Sequence, residues 1–371
     1  MPSPEPEAAL VVDLGAVVSN YRLIGDAQGG VPAAAVVKDD AYGLGATAVA
    51  TALSAAGCET FVVARPEEGA VLRTQIAAPR IIVLNGPRQQ DLALFREHRL
   101  LPVLNSLDQI ALWRTEAGKA GGPSPAALHV DTGMNRLGLA ESEVQRLEDA
   151  PDLVNGIVFD LVISHLACAD DPGNPMNEAQ RARFDAVLAR LAPTIGRPAR
   201  SLANSSGIFL GPAFHYDLTR PGVALYGVNP LPGQPNPMRQ PVSIRAEVLQ
   251  VRDVDAGTTV GYGAAHRVAG PRQIATIPVG YANGLWRALG GRLEAKVAGL
   301  RVPVVGRISM DLTTIDVTEV PPGQVRPGTV VELVGDVTPV DRIAEMAGTI
   351  GYEVLTSLGH RLPRRYIETG A

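Results

Sequence analysis

The sequence predicts a (β/α)8 barrel of the TIM type followed by a mainly β C-terminal domain. Over the first two-thirds of the chain, short apolar runs alternate with amphipathic segments, as expected for the strands and helices of a parallel barrel. A proline-rich break then interrupts the pattern. Beyond the break, short runs bounded by Gly, Pro and Asp indicate a mainly β domain. A chain of 371 residues is long enough for two domains.

Each element of the predicted barrel follows from its own stretch of sequence. The strands are continuous apolar runs, as expected where helices cover the outside of a parallel barrel. Helix starts carry capping residues such as Ser106 and Asn177. The predicted strands are Ala34–Val37, Thr60–Val63, Ile81–Leu84, Leu101–Leu104, Ala127–Asp131, Ile157–Ser164, Arg200–Ala203 and Asp217–Arg220. The helical patterns between them include Ala46–Ala56, Pro66–Gln75, Leu107–Ala117, Glu141–Ala150 and Asn177–Leu191.

The break lies at Asn229–Gln240, NPLPGQPNPMRQ, where four prolines favour a linker over a helix or a central strand. The run Ala8–Val12 precedes the barrel and is expected to pair with the second domain. The predicted strands of that domain are Ser243–Val251, Gln273–Ile277, Leu293–Val297, Val302–Ile308 and Val330–Leu333, with one helix at Val340–Met346. The predicted organisation is an N-terminal strand (1–12), a barrel (13–228), a linker (229–240) and a β domain (241–371).

The bulk properties exclude several classes of protein. The net charge of -5, with no basic stripe, argues against a nucleic-acid partner. No apolar stretch approaches the ~18 residues of a membrane span. The N-terminal MPSPEPEAAL lacks the basic region of a secretory signal. Two cysteines, Cys58 and Cys168, make no disulfide framework and fit a reducing compartment, so the expected location is the cytoplasm.

Lys38 stands at the end of the first predicted strand, in AAAVVKDDAYGLG, just before a Gly-punctuated turn. The other lysines, Lys119 and Lys296, lie in a Gly-rich loop and a polar strand and are typical of surface charges. A lysine amine at a strand end can condense with an aldehyde to form a Schiff base. A genome that favours Arg over Lys would explain why lysine is scarce, but not why one stands here.

Polar residues also follow several other predicted strands, and in a barrel these positions meet at one face. Asn204 and Ser205 open a helix start, where backbone N–H groups suit a phosphate, although the same residues also serve as ordinary caps. The set at the strand ends is Lys38, Asp131 to Arg136, Ser164, His165, Asn204, Ser205 and Arg220. An amine, two guanidiniums, an imidazole and an anion site indicate chemistry at this face.

Nine blocks of the sequence resemble the alanine racemase family of fold-type III pyridoxal-phosphate enzymes. They occur in the family's order, run almost from end to end and include both predicted domains, which makes the resemblance specific. The blocks are VVKDDAYGLG (Val36–Gly45), HVDTGMNRLG (His129–Gly138), SHL (Ser164–Leu166), ANSSG (Ala203–Gly207), TRPGVALYG (Thr219–Gly227), VGYGAAH (Val260–His266), PVGYANG (Pro278–Gly284), VGRISMD (Val305–Asp311) and YEVLTSLGHRLPRRY (Tyr352–Tyr366).

The resemblance implies pyridoxal 5'-phosphate as cofactor and assigns residues to it. Lys38 would hold the cofactor covalently, Arg220 would face its pyridine nitrogen, and His165 would lie beside it. Arg136 and the backbone at Met310 would bind the substrate. The cofactor phosphate would be bound by Tyr42, Asn204, Ser205, Gly222 and Tyr352. No metal is expected.

The resemblance also implies interconversion of L- and D-alanine, which supplies D-alanine for peptidoglycan. One base is needed on each face of the substrate: Lys38 on one, and on the other Tyr262, contributed by the partner subunit of a homodimer. By residue type alone, Tyr262 is also typical of a β-strand, and His165 and Met310 are also typical of a core. Arg136 could equally form a purely structural ion pair with Asp131.

One departure from the family pattern concerns the substrate arginine. His129 stands where several relatives have a carbamylated lysine, so an anion or the imidazole itself is expected to position Arg136. Leu44 and Asn283 also differ from the usual residues, without removing a catalytic group.

Rival functions are a broader-specificity amino-acid racemase, a fold-type III decarboxylase and a non-catalytic cofactor carrier. The decarboxylases carry a functional cysteine in the second domain, whereas both cysteines here precede the linker. The carriers lack the β domain.

Overall fold

The computed structural model describes residues 6–77, 79–120, 122–358 and 361–370. Residues 1–5 of the predicted N-terminal segment, residues 359–360 of the block Tyr352–Tyr366 and residue 371 of the predicted β domain lie outside the described residues. No helix among the described residues combines the length and apolarity that a membrane crossing requires.

The first elements are strand β1 (Ala8–Asp13) and helix α1 (Leu14–Ala27). The Asp13 carboxylate caps α1 by accepting from the Ala16 N–H at 3.1 Å. Strand β1 does not join the barrel. It pairs antiparallel with the first strand after the barrel and parallel with the last strand of the chain. The N-terminal strand is therefore part of the sheet of the C-terminal domain.

Seven strands form one parallel sheet in sequence order, with helices between them on the outside. The strands are β2 (Ala35–Val36), β3 (Thr60–Val63), β4 (Arg80–Val83), β5 (Leu101–Leu104), β6 (Ser124–His129), β7 (Ile157–Ile163) and β8 (Ala199–Ser201). The helices are α2 (Ala46–Ala55), α3 (Pro66–Arg73), α4 (Leu92–Glu97), α5 (Leu107–Ala120), α6 (Glu141–Asp149) and α7 (Pro175–Ile195). The strand centres are buried on both sides, which explains their unbroken apolar runs.

The predicted eighth strand, Asp217–Arg220, is not a regular strand. Two isolated parallel bridges, Ala33 to Thr219 and Asn204 to Arg220, close the barrel instead. Pro221 follows directly and has no N–H for the next bond of a ladder, so only its carbonyl continues the pairing, accepting from the Val36 N–H at 2.9 Å. The predicted fold class, a (β/α)8-type barrel with a mainly β C-terminal domain, is nevertheless confirmed.

The two predicted helix caps differ in outcome. Ser106 caps α5, because its Oγ accepts from the Gln109 N–H at 3.2 Å. The prediction of Asn177 as a cap was wrong: α7 begins earlier, at Pro175, and Asn174 accepts from the Met176 N–H at 3.0 Å. Proline suits the first helical position because its missing N–H would be unpaired there in any case.

The C-terminal domain contains a six-stranded, a three-stranded and a two-stranded sheet. The strands are β9 (Val242–Glu247), β10 (Gln250–Val254), β11 (Thr259–Val260), β12 (His266–Arg267), β13 (Arg272–Ile277), β14 (Glu294–Val297), β15 (Leu300–Pro303), β16 (Thr313–Asp316), β17 (Val330–Val334) and β18 (Arg364–Ile367). The large sheet has the order β15-β14-β17-β9-β1-β18, the second β10-β13-β16 and the third β11-β12.

Three predictions for this domain were wrong. The strand predicted at Val302–Ile308 begins earlier, at Leu300, and ends at Pro303. The single strand Ser243–Val251 is divided into β9 and β10, which belong to different sheets. Two helices, α8 (Val340–Ala347) and α9 (Gly351–Ser357), occur where one was expected. Helix α9 has only seven residues and begins with glycine, so its apolar period is too short to stand out in sequence. Tyr352 on α9 reaches the carboxyl ends of the barrel strands.

Candidate active site

A cavity of about 440 Å³ lies at the carboxyl ends of the barrel strands. The predicted cofactor and substrate residues that line it are Lys38, Tyr42, Arg136, His165, Asn204, Ser205, Arg220, Gly222 and Tyr352. Tyr262 and Met310 do not line it; they lie on the surface, 68% and 53% exposed. The structure therefore brings together the predicted residues of the barrel and Tyr352, but not the two further residues of the β domain.

Lys38 is followed by a left-handed turn. The next four residues, none of them glycine, have φ between 53° and 57°. Each such residue costs roughly 1–2 kcal/mol, so tertiary contacts must hold the turn. The Asp39 N–H donates to Glu68 Oε1 at 2.6 Å, and Asp40 pairs with Arg364 of the β domain at 3.1 Å. The strained turn fixes the backbone that carries Lys38 into the cavity.

Tyr42, at the end of this turn, is held among other aromatic rings. Its ring centroid lies 4.8 Å from that of Tyr226 and 6.0 Å from that of Tyr352. Burial raises the pKa of Tyr42 well above its ordinary value and raises that of Tyr352 to about 12. Both hydroxyls therefore stay protonated, and within the described chain neither has a hydrogen-bond partner. They are two free donors for an anion.

Gly222 leaves room for the Tyr42 hydroxyl. A Cβ at Gly222 would lie 2.3 Å from Tyr42 Oη, so any other residue would displace the ring or itself move. Ser205 Oγ accepts from the Gly222 N–H at 2.9 Å and from the Ala224 N–H at 3.3 Å. Because its oxygen already accepts twice, the Ser205 hydroxyl is free to donate.

Asn204 and Ser205 precede a short 3-10 turn, Gly207–Leu210, on the cavity wall. Asn204 Oδ1 accepts from the Gly207 N–H at 2.9 Å, so its side chain satisfies the first N–H of the turn. The Ser206 N–H donates to no acceptor that the structure describes. With the tyrosine and serine hydroxyls, it forms a cluster of donors suited to a phosphate.

Arg220 is a buried cation, 5% exposed. Its guanidinium donates to Ser201 Oγ and to the backbone oxygens of Ser164 and Leu202. None of the described carboxylates pairs with it. Burial lowers the pKa of Arg220 to about 10, so the group remains charged at neutral pH and can donate but not accept a hydrogen bond.

Arg136 lies on a loop whose backbone N–H groups donate to the side chain of Asp131. The Asp131 carboxylate accepts from the N–H groups of Gly133, Met134 and Asn135, each at 2.9 Å. Asp131 therefore serves the loop and forms no ion pair with Arg136, which rules out the purely structural pairing. Over the described part of the chain Arg136 has no ion pair, and its charge is available to a ligand.

His165 and His129 both line the cavity and are both neutral at pH 7. Burial, followed by the charges of Arg220 and Arg136, lowers the pKa of His165 to about 3. Burial and Arg220 lower the pKa of His129 to about 4, against the opposing effect of Asp131. A neutral ring beside two guanidiniums adds no repulsion to the site.

Met310 and Tyr262 belong to two exposed loops of the β domain. The N–H of Ala282 donates to Met310 O at 2.9 Å, which joins the Met310 loop to the one that carries Tyr281. Tyr262 follows Gly261, and its hydroxyl has no hydrogen-bond partner among residues 6–77, 79–120, 122–358 and 361–370. Tyr281, Leu312 and Ile350 are exposed as well. Because the Met310 and Tyr281 loops are joined, Met310, Leu312 and Tyr281 present exposed large side chains close together, which is typical of an interaction surface.

Two asparagines near the site were missed by the sequence reasoning. Asn85 follows β4 and lines the cavity. Asn105 follows β5, and its Oδ1 lies 2.8 Å from Nδ1 of the cavity residue His129. Both are polar residues directly after an apolar strand, so the rule that selected Lys38 and Arg220 would have selected them too.

Family models and relatives agree with this description along the whole chain. The model for the alanine racemase N-terminal domain matches residues 12–230, and that for the C-terminal domain matches residues 241–366. An alanine racemase of Rhodospirillum rubrum is 49% identical over 97% of this chain and 96% of its own. A catabolic alanine racemase of Mesorhizobium japonicum is 47% identical over 97% of this chain and 93% of its own.

Solved structures agree as well. The crystal structure of alanine racemase from Bartonella henselae with covalently bound pyridoxal phosphate has a TM-score of 0.90 and 39% identity. The match covers 98% of this chain and 100% of that one. The enzyme of a D-cycloserine-producing Streptomyces lavendulae has a TM-score of 0.92 and 31% identity, over 99% and 98% of the two chains.

The fold and the cavity define a two-domain barrel enzyme with a lysine amine and a cluster of anion donors at the strand ends. Both family models and the full-length relatives identify the family within this class. The chain belongs to the alanine racemase family.

Proposed function

We propose that this protein is a pyridoxal-phosphate-dependent alanine racemase that interconverts L- and D-alanine and so supplies D-alanine for peptidoglycan. The observation that carries the proposal is the single cavity in which an amine, two guanidiniums and a group of free anion donors meet. The relatives named above support the same activity. The alternatives, a broader-specificity racemase and a decarboxylase, receive no such support.

The residues present fit the cofactor. The hydroxyls of Tyr42, Tyr352 and Ser205 and the space left by Gly222 would hold the phosphate. Asn204 would hold that site in shape through its cap on the turn. The buried Arg220 has no carboxylate partner in the described chain, and one of its remaining N–H groups would meet the pyridine nitrogen. His165, a neutral ring on the cavity wall, would lie beside the cofactor.

When bound to the substrate amine, pyridoxal phosphate would draw electrons from Cα and so lower the cost of removing the α proton. Lys38 would hold the cofactor covalently at rest and, once released, would move the proton at one face of Cα. Tyr262 of a second copy of the chain would serve the opposite face. Two bases on opposite faces give inversion, because one removes the proton and the other returns it.

Arg220 would limit the reaction to proton transfer. With a pKa of about 10 it keeps its proton at neutral pH, so it can only donate towards the pyridine nitrogen and would leave that nitrogen unprotonated. An unprotonated ring withdraws electrons less strongly. We infer that Arg220, by donating and never accepting at that position, restricts the chemistry to proton transfer at Cα and limits side reactions such as transamination.

The substrate carboxylate would bind Arg136, whose guanidinium has no ion pair in the described chain. The backbone at Met310 would complete that site from the second copy. Tyr281 and Tyr352 would narrow the entrance and favour a small side chain such as that of alanine. This arrangement requires a homodimer with shared active sites.

The proposed organisation is a barrel (13–228) and a β domain (241–371), joined by a linker (229–240), with residues 1–12 adding a strand to the β domain. The pairing of β1 with β9 and β18 supports the last part. We propose the cytoplasm as the location, since Cys58 and Cys168 are unpaired thiols, which suits a reducing compartment.

The test is to incubate the purified holoenzyme with L-alanine in D2O. Optical rotation should decay to zero while deuterium enters at Cα at a comparable rate. Protein stripped of cofactor is the control and should leave the rotation unchanged. Release of carbon dioxide would indicate a decarboxylase instead, and racemisation of L-serine at the rate of alanine would indicate a broader racemase.

A further inference from the structure

The last strand of the β domain carries two polar side chains on a face that is otherwise apolar. Strand β18 pairs in parallel with β1, and the register places Arg364 beside Leu10 and Tyr366 beside Val12. Neighbours across a ladder share a face, and because Leu10 and Val12 are fully buried, this face points into the protein. An inward-facing arginine is costly unless its donors find acceptors. The side chain of Arg364, only 18% exposed, therefore needs partners inside the protein.

These partners lie on the barrel, in the left-handed turn of the cavity. Arg364 Nε and Nη2 donate to Gly43 O at 2.9 and 2.7 Å. Arg364 Nη2 also lies 3.1 Å from the carboxylate of Asp40. The Tyr366 hydroxyl donates to Leu44 O at 3.2 Å. Arg364 and Tyr366, two alternate residues of one strand, together form what we call the C-terminal clamp.

The clamp binds a segment whose conformation needs support from outside. Asp39 to Tyr42 have φ between 53° and 57°, although none of these residues is glycine. The turn is closed by backbone bonds from the Gly43 N–H to Asp39 O at 2.9 Å and from the Gly45 N–H to Asp40 O at 2.8 Å. L-residues other than glycine relax out of the left-handed region unless tertiary contacts hold them there. The contacts with the clamp are of this kind.

The turn joins two side chains of the cavity. It begins directly after Lys38 and ends at Tyr42, and both residues line the cavity. The position of the Lys38 amine relative to the Tyr42 hydroxyl therefore depends on the turn keeping its left-handed form. A shift of about 1 Å in a reacting group can lower a rate about 10²-fold.

We propose that Arg364 is a positioning residue for Lys38: the clamp holds the turn in the form that directs the amine into the cavity. The inference rests on the proposed role of Lys38 at one face of Cα. It separates two tasks of the β domain. The exposed loops of that domain are proposed to serve a second copy of the chain, whereas its last strand serves the cavity of its own chain.

Two substitutions at position 364 separate the polar contacts from the bulk of the side chain. Arg364→Met keeps a long side chain on the inward face and removes every donor. Arg364→Lys keeps a cation that can donate, although from one nitrogen only. We expect Arg364→Met to lower kcat about 30-fold and to change KM for alanine by less than about threefold, because the amine moves while the Arg136 site does not. Arg364→Lys should recover kcat to within about fivefold of wild type.

Each rate is divided by the number of sites that hold the cofactor covalently, counted by mass spectrometry after borohydride reduction. This division removes the effects of partial unfolding and weak loading, which a merely structural role would produce. Arg245→Met is the matched control, since Arg245 lies on β9 of the same sheet and pairs with Glu332 at 3.8 Å; its kcat should equal that of wild type. A wild-type kcat per loaded site in Arg364→Met would overturn the proposal, and so would an Arg364→Lys variant as slow as Arg364→Met.

A second measurement needs no cofactor. In the stripped protein, hydrogen exchange of the Gly43 and Gly45 amides reports opening of the turn, because both donate to oxygens within it. Exchange should be about tenfold faster in Arg364→Met than in wild type, and unchanged in strand β5. Equal exchange of the two glycine amides in both proteins would refute the clamp. An increase of the same size in β5 would refute it too, because the substitution would then loosen the whole barrel.

The two proposals can fail separately. If the wild-type enzyme racemises alanine but the kcat per loaded site or the exchange result is wrong, this inference fails while the proposed function stands. If the wild type does not racemise alanine, the proposed function fails, and the exchange measurement alone tests the contact between the clamp and the turn.

Discussion

The two parts of the proposed active site differ in how the chain holds them. In the barrel, Arg220 is buried with its hydrogen bonds to Ser201, Ser164 and Leu202, and a strained turn fixes the backbone beside Lys38. In the β domain, Tyr262 and Met310 are exposed. The residues of the barrel part meet in one cavity within the described chain, whereas the two residues of the β-domain part lie on the surface. This difference is the main structural support for the proposed homodimer.

The largest expected effect comes from removing the amine of the barrel part. Lys38→Ala should lower the racemisation rate by about 10⁴-fold or more, because both the covalent attachment and one base are lost. Polarimetry measures the rate. Mass spectrometry after borohydride reduction tests the attachment, which should be present in wild type and absent in the variant.

The matched control is Lys296→Ala, because Lys296 lies exposed on β14, away from the cavity. It should leave both the rate and the attachment unchanged. If Lys38→Ala kept a covalently bound cofactor, or if the mass shift moved to Lys296, the assignment of Lys38 would be wrong.

The next effect tests the β-domain part. Tyr262→Phe removes one hydroxyl and should lower racemisation about 10²- to 10³-fold, with the two directions of proton exchange affected unequally. Its thermal unfolding midpoint should equal that of wild type, because within the described chain the hydroxyl has no partner. Deuterium incorporation from L- and D-alanine, followed separately, measures the asymmetry.

Mixing the two variants tests whether the parts come from different chains. If Lys38→Ala and Tyr262→Phe chains are co-expressed, half of the dimers are mixed, and each mixed dimer has one site with both groups intact. The preparation should recover about a quarter of wild-type activity. A preparation as inactive as its parents would mean that both groups act within one chain, contrary to the proposed dimer.

The same contrast explains what the sequence could predict. Apolar runs predict the barrel strands, and the residues directly after those runs, such as Lys38 and Arg220, are predicted to line the site. Both predictions need only neighbouring residues in the sequence. The prediction of a regular eighth strand was wrong, because Pro221 leaves only two isolated bridges there. The left-handed turn after Lys38 could not be predicted, since its residues have no glycine and are held by Glu68 and Arg364 from distant segments. The role proposed for Tyr262 rests on the family resemblance alone, because periodicity does not encode contacts with a second chain.

Acid should destabilise the barrel before the β domain. The pKa values of His129 and His165 are lowered from 6.5 to about 4 and about 3 in the folded protein, chiefly by burial. Below pH 6.5 the unfolded chain binds protons that the folded chain does not. The stability that these histidines contribute is therefore complete above 6.5 and is lost as pH falls towards 4, by about 3 kcal/mol for His129.

Urea unfolding between neutral and acid pH measures this loss, and hydrogen exchange locates it. Exchange at acid pH should rise first in the barrel strands β6 and β7, which carry or precede the two histidines. His129→Gln should flatten the dependence on pH, because glutamine does not titrate. Faster exchange in β9 and β13 than in the barrel would contradict the assignment of the effect to these residues.

The smallest expected effect concerns the anion site. In Gly222→Ala the new Cβ would lie 2.3 Å from Tyr42 Oη, and the ring is confined by Tyr226 at 4.8 Å and Tyr352 at 6.0 Å. The hydroxyl must move, so affinity for pyridoxal phosphate should fall about tenfold, the cost of one misplaced donor to a charged group. Equilibrium binding to the stripped protein, followed by absorbance, measures the affinity.

Gly270→Ala is the matched control, since a Cβ there meets nothing within 4 Å. The double variant Gly222→Ala, Tyr42→Phe separates the crowding from the lost donor. Without the hydroxyl, the contact at 2.3 Å disappears and Tyr42 Cζ at 3.2 Å becomes the nearest atom, so thermal stability should recover. Cofactor affinity should remain low, because the donor is gone. Recovery of affinity together with stability would mean that Gly222 serves packing alone and that Tyr42 is not a phosphate ligand.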